Sequence, residues 1–433
     1  MIVRQAGKKG HPESFETECG IMTETWKPLL TGPSADRALQ AVHEIAAAMP
    51  PVAHPSLSAG EAGLALFHTY LALHTNDETQ ADRAVALLDG AVESLATQPL
   101  PPTLYSGFPG VAWVVEHLQG RLFEPGDDED PNAGIDEALL EALERSPWPG
   151  DYDLITGLAG IGVYALERLP QPSAAALLGR VVERLAERSE QTPEGTTWFT
   201  KPEELPEWQR EISPNGYYNL GVAHGIPAVI ALLAGAAARG IPGTRPLLDD
   251  TVRWLLAHRL EPGADSCFSS WFYPGQAARA SRLAWCYGDL GIAASLLAAA
   301  RAVGETAWER EALDLALAAA ARPATTAAVR DAGLCHGAAG IGHLFNRMYQ
   351  STGEERLADA ARFWLDHALE IRQPGEGIAG FLVWTAEQEG DAPWRTDPGF
   401  LEGACGIGLG LLASVSPVEP AWDRVLLVSL PSP

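Results

Sequence analysis

Cysteine is scarce in this chain: Cys19, Cys267, Cys286, Cys335 and Cys405 are the only five among 433 residues. So odd and sparse a set excludes the disulfide framework of a small secreted fold and fits a reducing compartment. Positive charge is short as well, with 30 Lys and Arg against 56 Asp and Glu, a formal charge of −26. That balance argues against nucleic-acid backbones and anionic lipid surfaces as partners, while it accommodates a neutral or basic peptide. No uninterrupted apolar stretch reaches the length of a membrane span. The basic residues of the N-terminus are followed by polar and glycine residues rather than by the apolar core of a secretory signal. The expectation is a soluble, cytoplasmic, globular protein with no integral membrane segment, in which residues 1–21 form a polar arm ahead of Met22. Strand signal is also thin. Short aromatic and β-branched runs at Thr196–Thr200 and Cys267–Tyr273 read as small hairpins within loops.

What the chain has in quantity is a repeated glycine pattern. A Gly-x-x-Gly pair opens an apolar run at Gly60, Gly107, Gly157, Gly225, Gly288, Gly337 and Gly403, with Ala228 in place of the second glycine of the fourth copy. The copies lie about 47 to 68 residues apart, the period of helix pairs joined by variable loops. Each is followed by a run such as Ile161–Leu169 or Ile292–Ala300, rich enough in Ala, Leu, Ile and Val to read as a buried helix. More amphipathic helical patterns stand between them, at Asp82–Leu95, Ala174–Glu187, Leu247–His258, Trp308–Ala321 and Arg356–Ile371. The alternation predicts an all-α fold in which seven inner helices, each backed by an outer one, close into a ring. Residues 41–415 form the single domain, 1–40 an arm and first helix region, and 416–433 a tail. The glycine pairs are expected to let an inner helix approach a neighbouring helix or a ligand closely.

If the inner helices run in one direction, the residues just before each first glycine collect at one end of the ring. That rim would hold Ser106, Thr156, His224, Tyr287, His336 and Glu402, with Cys286 and Cys335 one position earlier and Asp153 and Arg282 a little upstream. Unpaired N–H groups and partial positive charge at the helix heads would favour thiolates there. Cys286, Cys335 and His336 supply two thiols and an imidazole, a three-ligand zinc set that leaves the fourth tetrahedral position open for chemistry. Each residue also has a structural reading. A cysteine in an apolar helix is commonly core, Asp153 can cap a helix beginning near Ile155, and His224 can be a core histidine. Arg282 can serve an ion pair and Tyr287 can pack. Cys405 reads as a buried spectator rather than a fourth ligand.

Five segments taken together, in order, resemble the lanthionine synthetase C family, the cyclases of lanthipeptide biosynthesis. They are Tyr152 to Gly157 (YDLITG), Asn219 to Gly225 (NLGVAHG), Arg282 to Gly288 (RLAWCYG), Leu334 to Gly337 (LCHG) and Gly399 to Gly403 (GFLEG), and the likeness spans roughly residues 55 to 412. The resemblance implies an α/α toroid, a double ring of seven inner and seven outer helices, with Zn2+ at one end held by Cys286, Cys335 and His336. It implies Michael-type addition of peptide cysteine thiols to dehydroalanine or dehydrobutyrine, by a stand-alone cyclase acting after a separate dehydratase. In that reading His224 is general acid, and first base toward the thiol. Asp153 orients or charges a cationic partner, Arg282 stabilises an anion, Tyr287 donates a hydrogen bond, and Glu402 supports the rim. The implied partners are a dehydrated precursor peptide, the dehydratase and an exporter, which places the protein in the cytoplasm beside a membrane-associated complex. The loops Thr196–Asn215 and Cys267–Ser281 flank the motifs and are expected to touch the peptide. Two other readings stay open: a non-catalytic zinc-containing peptide-binding scaffold, and a prenyltransferase-like zinc enzyme that alkylates thiols. The latter needs a basic, aromatic diphosphate pocket, and basic residues are few near these motifs. A glycosidase would need two placed carboxylates, for which Asp153 and Glu402 are the candidates.

Overall fold

The computed structural model describes residues 26–124, 130–205, 207–273, 275–385 and 393–430, apart from the side chains of 208, 209 and 212. The expected arm at residues 1–21, with Cys19, lies outside them. In chain order the helices are α1 (Gly32–Ala48), α2 (Glu61–Thr75), α3 (Glu78–Leu95), α4 (Phe108–Leu118), α5 (Ala133–Leu143), α6 (Leu158–Arg168), α7 (Pro172–Arg188), α8 (Glu207–Ile212), α9 (Ile226–Ala237), α10 (Thr244–Ala257), α11 (Asp289–Val303), α12 (Thr306–Ala321), α13 (Ala338–Thr352), α14 (Glu355–Glu370) and α15 (Ala404–Val415). The helices that begin at the glycine pairs are α2, α4, α6, α9, α11, α13 and α15. Each packs on the next, and α15 packs back on α2, so the contacts form a closed circuit. Behind them, α3 packs on α2, α5 on α4, α7 on α6, α10 on α9, α12 on α11, α14 on α13 and α1 on α15. This mostly helical arrangement is consistent with an α/α toroid.

The two sets differ in how their sequences meet solvent. In α9 every residue from Ile226 to Ala234 is buried, the mark of a helix enclosed on all sides. In α14 burial follows one stripe, Leu357, Ala358, Ala361, Trp364, Leu365, Ala368 and Leu369. Each large side chain of that stripe contributes about 1.5–3 kcal/mol by leaving water. Leu365 meets α13 at Gly342, where an added Cβ would stand 2.7 Å from the Leu365 Cγ. The missing side chain is what lets these two helices close. Gly304 and Gly353, at φ +75° and +71°, end α11 and α13 in the left-handed conformation that suits a residue without Cβ.

The glycine pairs at the helix heads make the expected close approach to neighbours, as where a Cβ at Gly160 would lie 3.0 Å from the Leu104 Cβ, but they meet their own turns more closely still. A Cβ at Gly60 would lie 2.0 Å from the His54 carbonyl oxygen, and one at Gly340 would lie 1.9 Å from that of Leu334. The pairs therefore make room chiefly for the turn leading into their own helix. That turn also accepts the first N–H groups of the helix: Leu158 N–H donates to Asp151 O at 3.1 Å, Ala338 to Asp331 at 2.9 Å and Ala404 to Asp397 at 2.9 Å. At these three heads the leading N–H groups are thus not free to receive an anion, contrary to the expectation of open helix N-termini, because the preceding carbonyls already satisfy them.

The strands lie in the loops, as β1 (Glu190–Thr192), β2 (Gly195–Thr197), β3 (Phe199–Thr200), β4 (Tyr217–Asn219), β5 (Trp271–Phe272), β6 (Val383–Trp384) and β7 (Trp394–Arg395). β1 and β2 form a hairpin, with Gln191 opposite Thr196. β3, β4 and β5 form one antiparallel sheet, so the two segments expected as separate hairpins are joined through Tyr217–Asn219. The β6–β7 hairpin was not anticipated, because its paired runs are only two residues long.

Residues 416–430 enter the core. Trp422, Val425 and Leu426 are buried, and Trp422 stacks on His343 with ring centroids 4.8 Å apart. Tyr105 donates from its hydroxyl to Val425 O at 2.8 Å, and Trp285 donates from Nε1 to Leu426 O at 2.9 Å. The second bond ties the C-terminal segment to the residue beside Cys286.

Candidate active site

The turns ahead of the glycine-headed helices are joined by their backbones. Ser58 N–H donates to Tyr105 O at 2.9 Å, Phe400 to Ser58 at 2.7 Å and Cys335 to Leu401 at 2.7 Å. Cys335 O in turn accepts from Trp285 at 3.1 Å and from Cys286 at 3.2 Å, and Ala223 N–H reaches Cys286 O at 3.4 Å. These bonds set the heads of α2, α4, α9, α11, α13 and α15 at one end, and they bring Cys286 beside Cys335 although the two belong to different repeats. Gly221 allows the last step, since a Cβ there would lie 2.3 Å from Cys286 O.

As a result the ligand atoms of Cys286, Cys335 and His336 all lie within 4.8 Å of one another. His336 and Cys335 both hydrogen-bond Cys286, whose thiol is held well below its usual pKa, with Cys335 the largest cause and His336 and Arg282 adding to it against burial. Cys335 is correspondingly pushed well above the ordinary thiol value by that hydrogen bond, by burial and by the charge on Cys286. The His336 imidazole is raised: burial opposes its charge, but the Cys286 hydrogen bond and charge, with Asp331, prevail. Within the set the hydrogen bonds thus favour the thiolate at Cys286 and the protonated forms of Cys335 and His336. Two soft sulfurs and an imidazole converging in this way fit Zn2+, which would replace those protons.

The three donors line a cavity of about 830 Å3 together with His224, Arg282, Tyr287, Arg330, Asp331, Trp384, Arg395 and Glu402. His224 Nδ1 donates to Asp153 Oδ2 at 2.5 Å. Asp153 is 1% exposed and does not line the cavity; it acts from behind the imidazole. Its other oxygen accepts from the Thr156 backbone N–H at 2.7 Å and hydroxyl at 3.0 Å. Asp153 therefore holds the turn ahead of α6 rather than capping a helix near Ile155, because α6 begins only at Leu158 with Gly157 at its N-cap. Asp151 lies behind the pair, pushed up to about 6 by burial and by the charge of Asp153. Tyr287 accepts a 3.4 Å hydrogen bond from Asn219 Nδ2 and meets the half-exposed Trp271 edge to face at 5.6 Å. Glu402 is paired with Arg395 at 2.9 Å; burial raises its pKa while His336 and Arg395 oppose the rise.

Besides Asp153, two members of the expected rim stand outside the cavity lining: Thr156, which is bound to Asp153, and Ser106, whose hydroxyl lies 2.8 Å from that of Thr103. Cys405 is buried in the core and donates from its thiol to Gly63 O at 3.2 Å, apart from the donor cluster. Sequence reasoning missed Asp331, Arg330, Trp384 and the role of Asn219. A signal for two of them was present: Asn219, Asp331 and Asp397 each stand six residues before a repeat glycine, and each accepts the N–H two residues on, at 2.9, 3.1 and 2.6 Å. Aligning the repeats on these Asx turns would have revealed them. Asp331 also accepts Trp384 N–H at 3.1 Å, which fixes the β6–β7 hairpin to the turn bearing Cys335 and His336.

Known proteins share this architecture. The chain is 20% identical to a solved structure of nisin cyclase, with a TM-score of 0.69 over 91% of this chain and 96% of that one, a likeness of fold. It is 27% identical over 198 residues to the nisin biosynthesis protein NisC of Lactococcus lactis subsp. lactis. That alignment takes in 43% of this chain and 46% of the relative, so it spans about half of the relative's length. Over residues 51–427 the sequence matches the model of the lanthionine synthetase C-like proteins, and the chain belongs to that family.

Proposed function

We propose that this chain is a zinc-dependent lanthipeptide cyclase, which adds cysteine thiols of a dehydrated precursor peptide to dehydroalanine or dehydrobutyrine and so closes lanthionine and methyllanthionine rings. The observation that carries the proposal is the convergence of Cys286, Cys335 and His336 on the cavity that His224 also lines, in a member of this family. The finer architecture goes with it: a double ring of seven inner and seven outer helices over residues 41–415, with Zn2+ at the end where the inner helices begin. The peptide would come from a separate dehydratase and leave through an exporter, in the cytoplasm beside a membrane-associated complex.

When bound, zinc supplies Lewis acidity that lowers the pKa of a thiol offered to its open position. The remaining work falls to the side chains. Asp153 occupies Nδ1 of His224, which leaves Nε2 as the atom that exchanges protons with the cavity. His224 Nε2 takes the proton from the cysteine thiol. Sulfur then bonds the β-carbon of the dehydro residue, the carbon–carbon π bond breaks, and charge passes to the α-carbon and its carbonyl as an enolate. The imidazolium returns the proton to the α-carbon, so the addition is balanced. Arg282 offers its charge to the enolate oxygen. Tyr287, which accepts from Asn219, keeps its own O–H to donate.

The test is mass spectrometry of thiol alkylation on a dehydrated precursor incubated with the protein. Alkylatable thiols should disappear with no change in peptide mass. His224→Ala should retain zinc and lose ring closure; ring closure undiminished in that variant would favour the non-catalytic scaffold instead.

A further inference from the structure

Two arginines at the active-site cavity lack a carboxylate partner among the described residues. Arg282 and Arg330 both line it, and neither makes an ion pair there. The contrast with their neighbours is sharp. Arg395, on the same cavity, is held by Asp397 at 3.0 Å and Glu402 at 2.9 Å. Elsewhere the buried Arg168 is matched by Glu116, Asp130 and Asp136. In a chain with a formal charge of −26, open cations at the mouth of the site call for an occupant.

Arg282 has a task in the addition; Arg330 has none. Its guanidinium carbon lies 4.5 Å from the centroid of the Trp384 ring, so the planar group is held against the indole face. Trp384 is fixed in turn by the bond from its N–H to Asp331 and by the edge of Trp394, with ring centroids 5.1 Å apart. Two residues before Arg330, Ala328 lines the cavity at φ +58°, a left-handed conformation that alanine keeps only where its surroundings over-determine it. A guanidinium placed over an indole and without a carboxylate partner among the described residues keeps N–H groups for a planar, bidentate acceptor. In a peptide, the group that matches them in shape and charge is a carboxylate.

We propose that Arg330 is a specificity-determining residue that reads a carboxylate of the peptide close to the reacting cysteine, either an acidic side chain or the peptide's own C-terminus. The proposal rests on the cyclase reading above, and its test separates the two. The probe is a dehydrated model peptide with one cysteine and one dehydroalanine, made in three forms: Glu beside the cysteine with an amidated C-terminus, Gln in its place with the same amide, and Gln with a free C-terminal carboxylate. Ring closure is followed by mass spectrometry and binding by fluorescence anisotropy, for the wild-type protein, Arg330→Gln and Arg330→Lys.

Wild-type protein should favour a carboxylate form over the fully neutral one by about tenfold in both binding and kcat/KM, the scale of one charge-assisted bidentate contact. The form that gains identifies the source of the carboxylate. Arg330→Gln should bring the ratio close to one, and Arg330→Lys, which keeps the charge without the planar fork, should retain part of it. Added salt should shrink the wild-type ratio. An equal loss for all three peptides would show that Arg330 only braces Trp384, and an unchanged ratio in Arg330→Gln would overturn the proposal. If the wild-type protein closes no ring, the cyclase reading fails, and the anisotropy ratios still decide the role of Arg330.

Discussion

Nδ1 of His224 lies 2.5 Å from Oδ2 of Asp153, and the second oxygen of that carboxylate holds the turn that leads into α6. One side chain thus sets both the backbone and the orientation of the imidazole. Burial disfavours the charged ring, but the Asp153 hydrogen bond and charge, with Asp151 and Cys286, outweigh it, and the His224 pKa rises above 6.5. Because the imidazole must be neutral to take the thiol's proton, ring closure should fall as pH drops below that raised value. Asp153→Asn should move this acid limb to lower pH and reduce the maximal rate by roughly 10²–10⁴-fold. A limb that stays in place would remove Asp153 from the relay. The same pair contributes folding stability that is complete below the ordinary histidine pKa and is lost as pH rises through the folded one.

Removal of one sulfur from the donor set should be visible in the metal content. Zinc content should be near one per chain in the parent protein and drop steeply in Cys335→Ala. Cys405→Ala should keep its zinc and lose only about 1 kcal/mol of stability, since its thiol makes one bond in the core. Equal zinc loss in both variants would place Cys405 in the site.

The glycine at the head of α13 and one on the outer helix α7 should respond in opposite directions to alanine. At Gly340 a Cβ would stand 1.9 Å from the Leu334 carbonyl oxygen, in the turn that bears Cys335. Gly340→Ala should therefore destabilise the fold and weaken zinc binding together. Nothing lies within 4 Å of a Cβ built at Gly179, so Gly179→Ala should stabilise α7 by about 0.5–1 kcal/mol. Urea denaturation with parallel zinc titration would register both effects.

Helix pairs were legible in the sequence wherever periodicity was strong. The stripe from Arg356 to Ile371 became α14, and the glycine-headed run from Ile292 became α11. The first helix of the alternation, α1, and the short α5 had no glycine pair to announce them. The cluster of Cys286, Cys335 and His336 could be read because two thiols and an imidazole are chemically distinctive beside repeat glycines. Arg330 and Trp384 could not be read, since their meeting depends on how the β6–β7 hairpin folds over the turn at Asp331, a contact between residues 53 positions apart. The capped heads of the inner helices were also hidden. Sequence shows a glycine, but not that the carbonyl six residues earlier takes the space a side chain would need.

Asp423 is wholly buried and accepts from Arg347 Nε at 2.6 Å and from His343 Nε2 at 2.8 Å. These bonds anchor the C-terminal segment whose Leu426 carbonyl holds Trp285. Asp423→Ala would leave the buried Arg347 with the half-exposed Glu419 as its one carboxylate among the described residues, beside the Pro420 carbonyl, and should cost about 3–5 kcal/mol in chemical denaturation. A loss below about 1 kcal/mol would mean that the segment is held without the help of this ion pair.

Zinc K-edge X-ray absorption on the purified protein tests the central claim most directly, because it counts the atoms that hold the metal. Two sulfurs and one imidazole nitrogen from this chain, with a light exchangeable atom in the remaining position, is the predicted result. A fourth ligand from the polypeptide, or a protein that takes up no zinc at all, would contradict it.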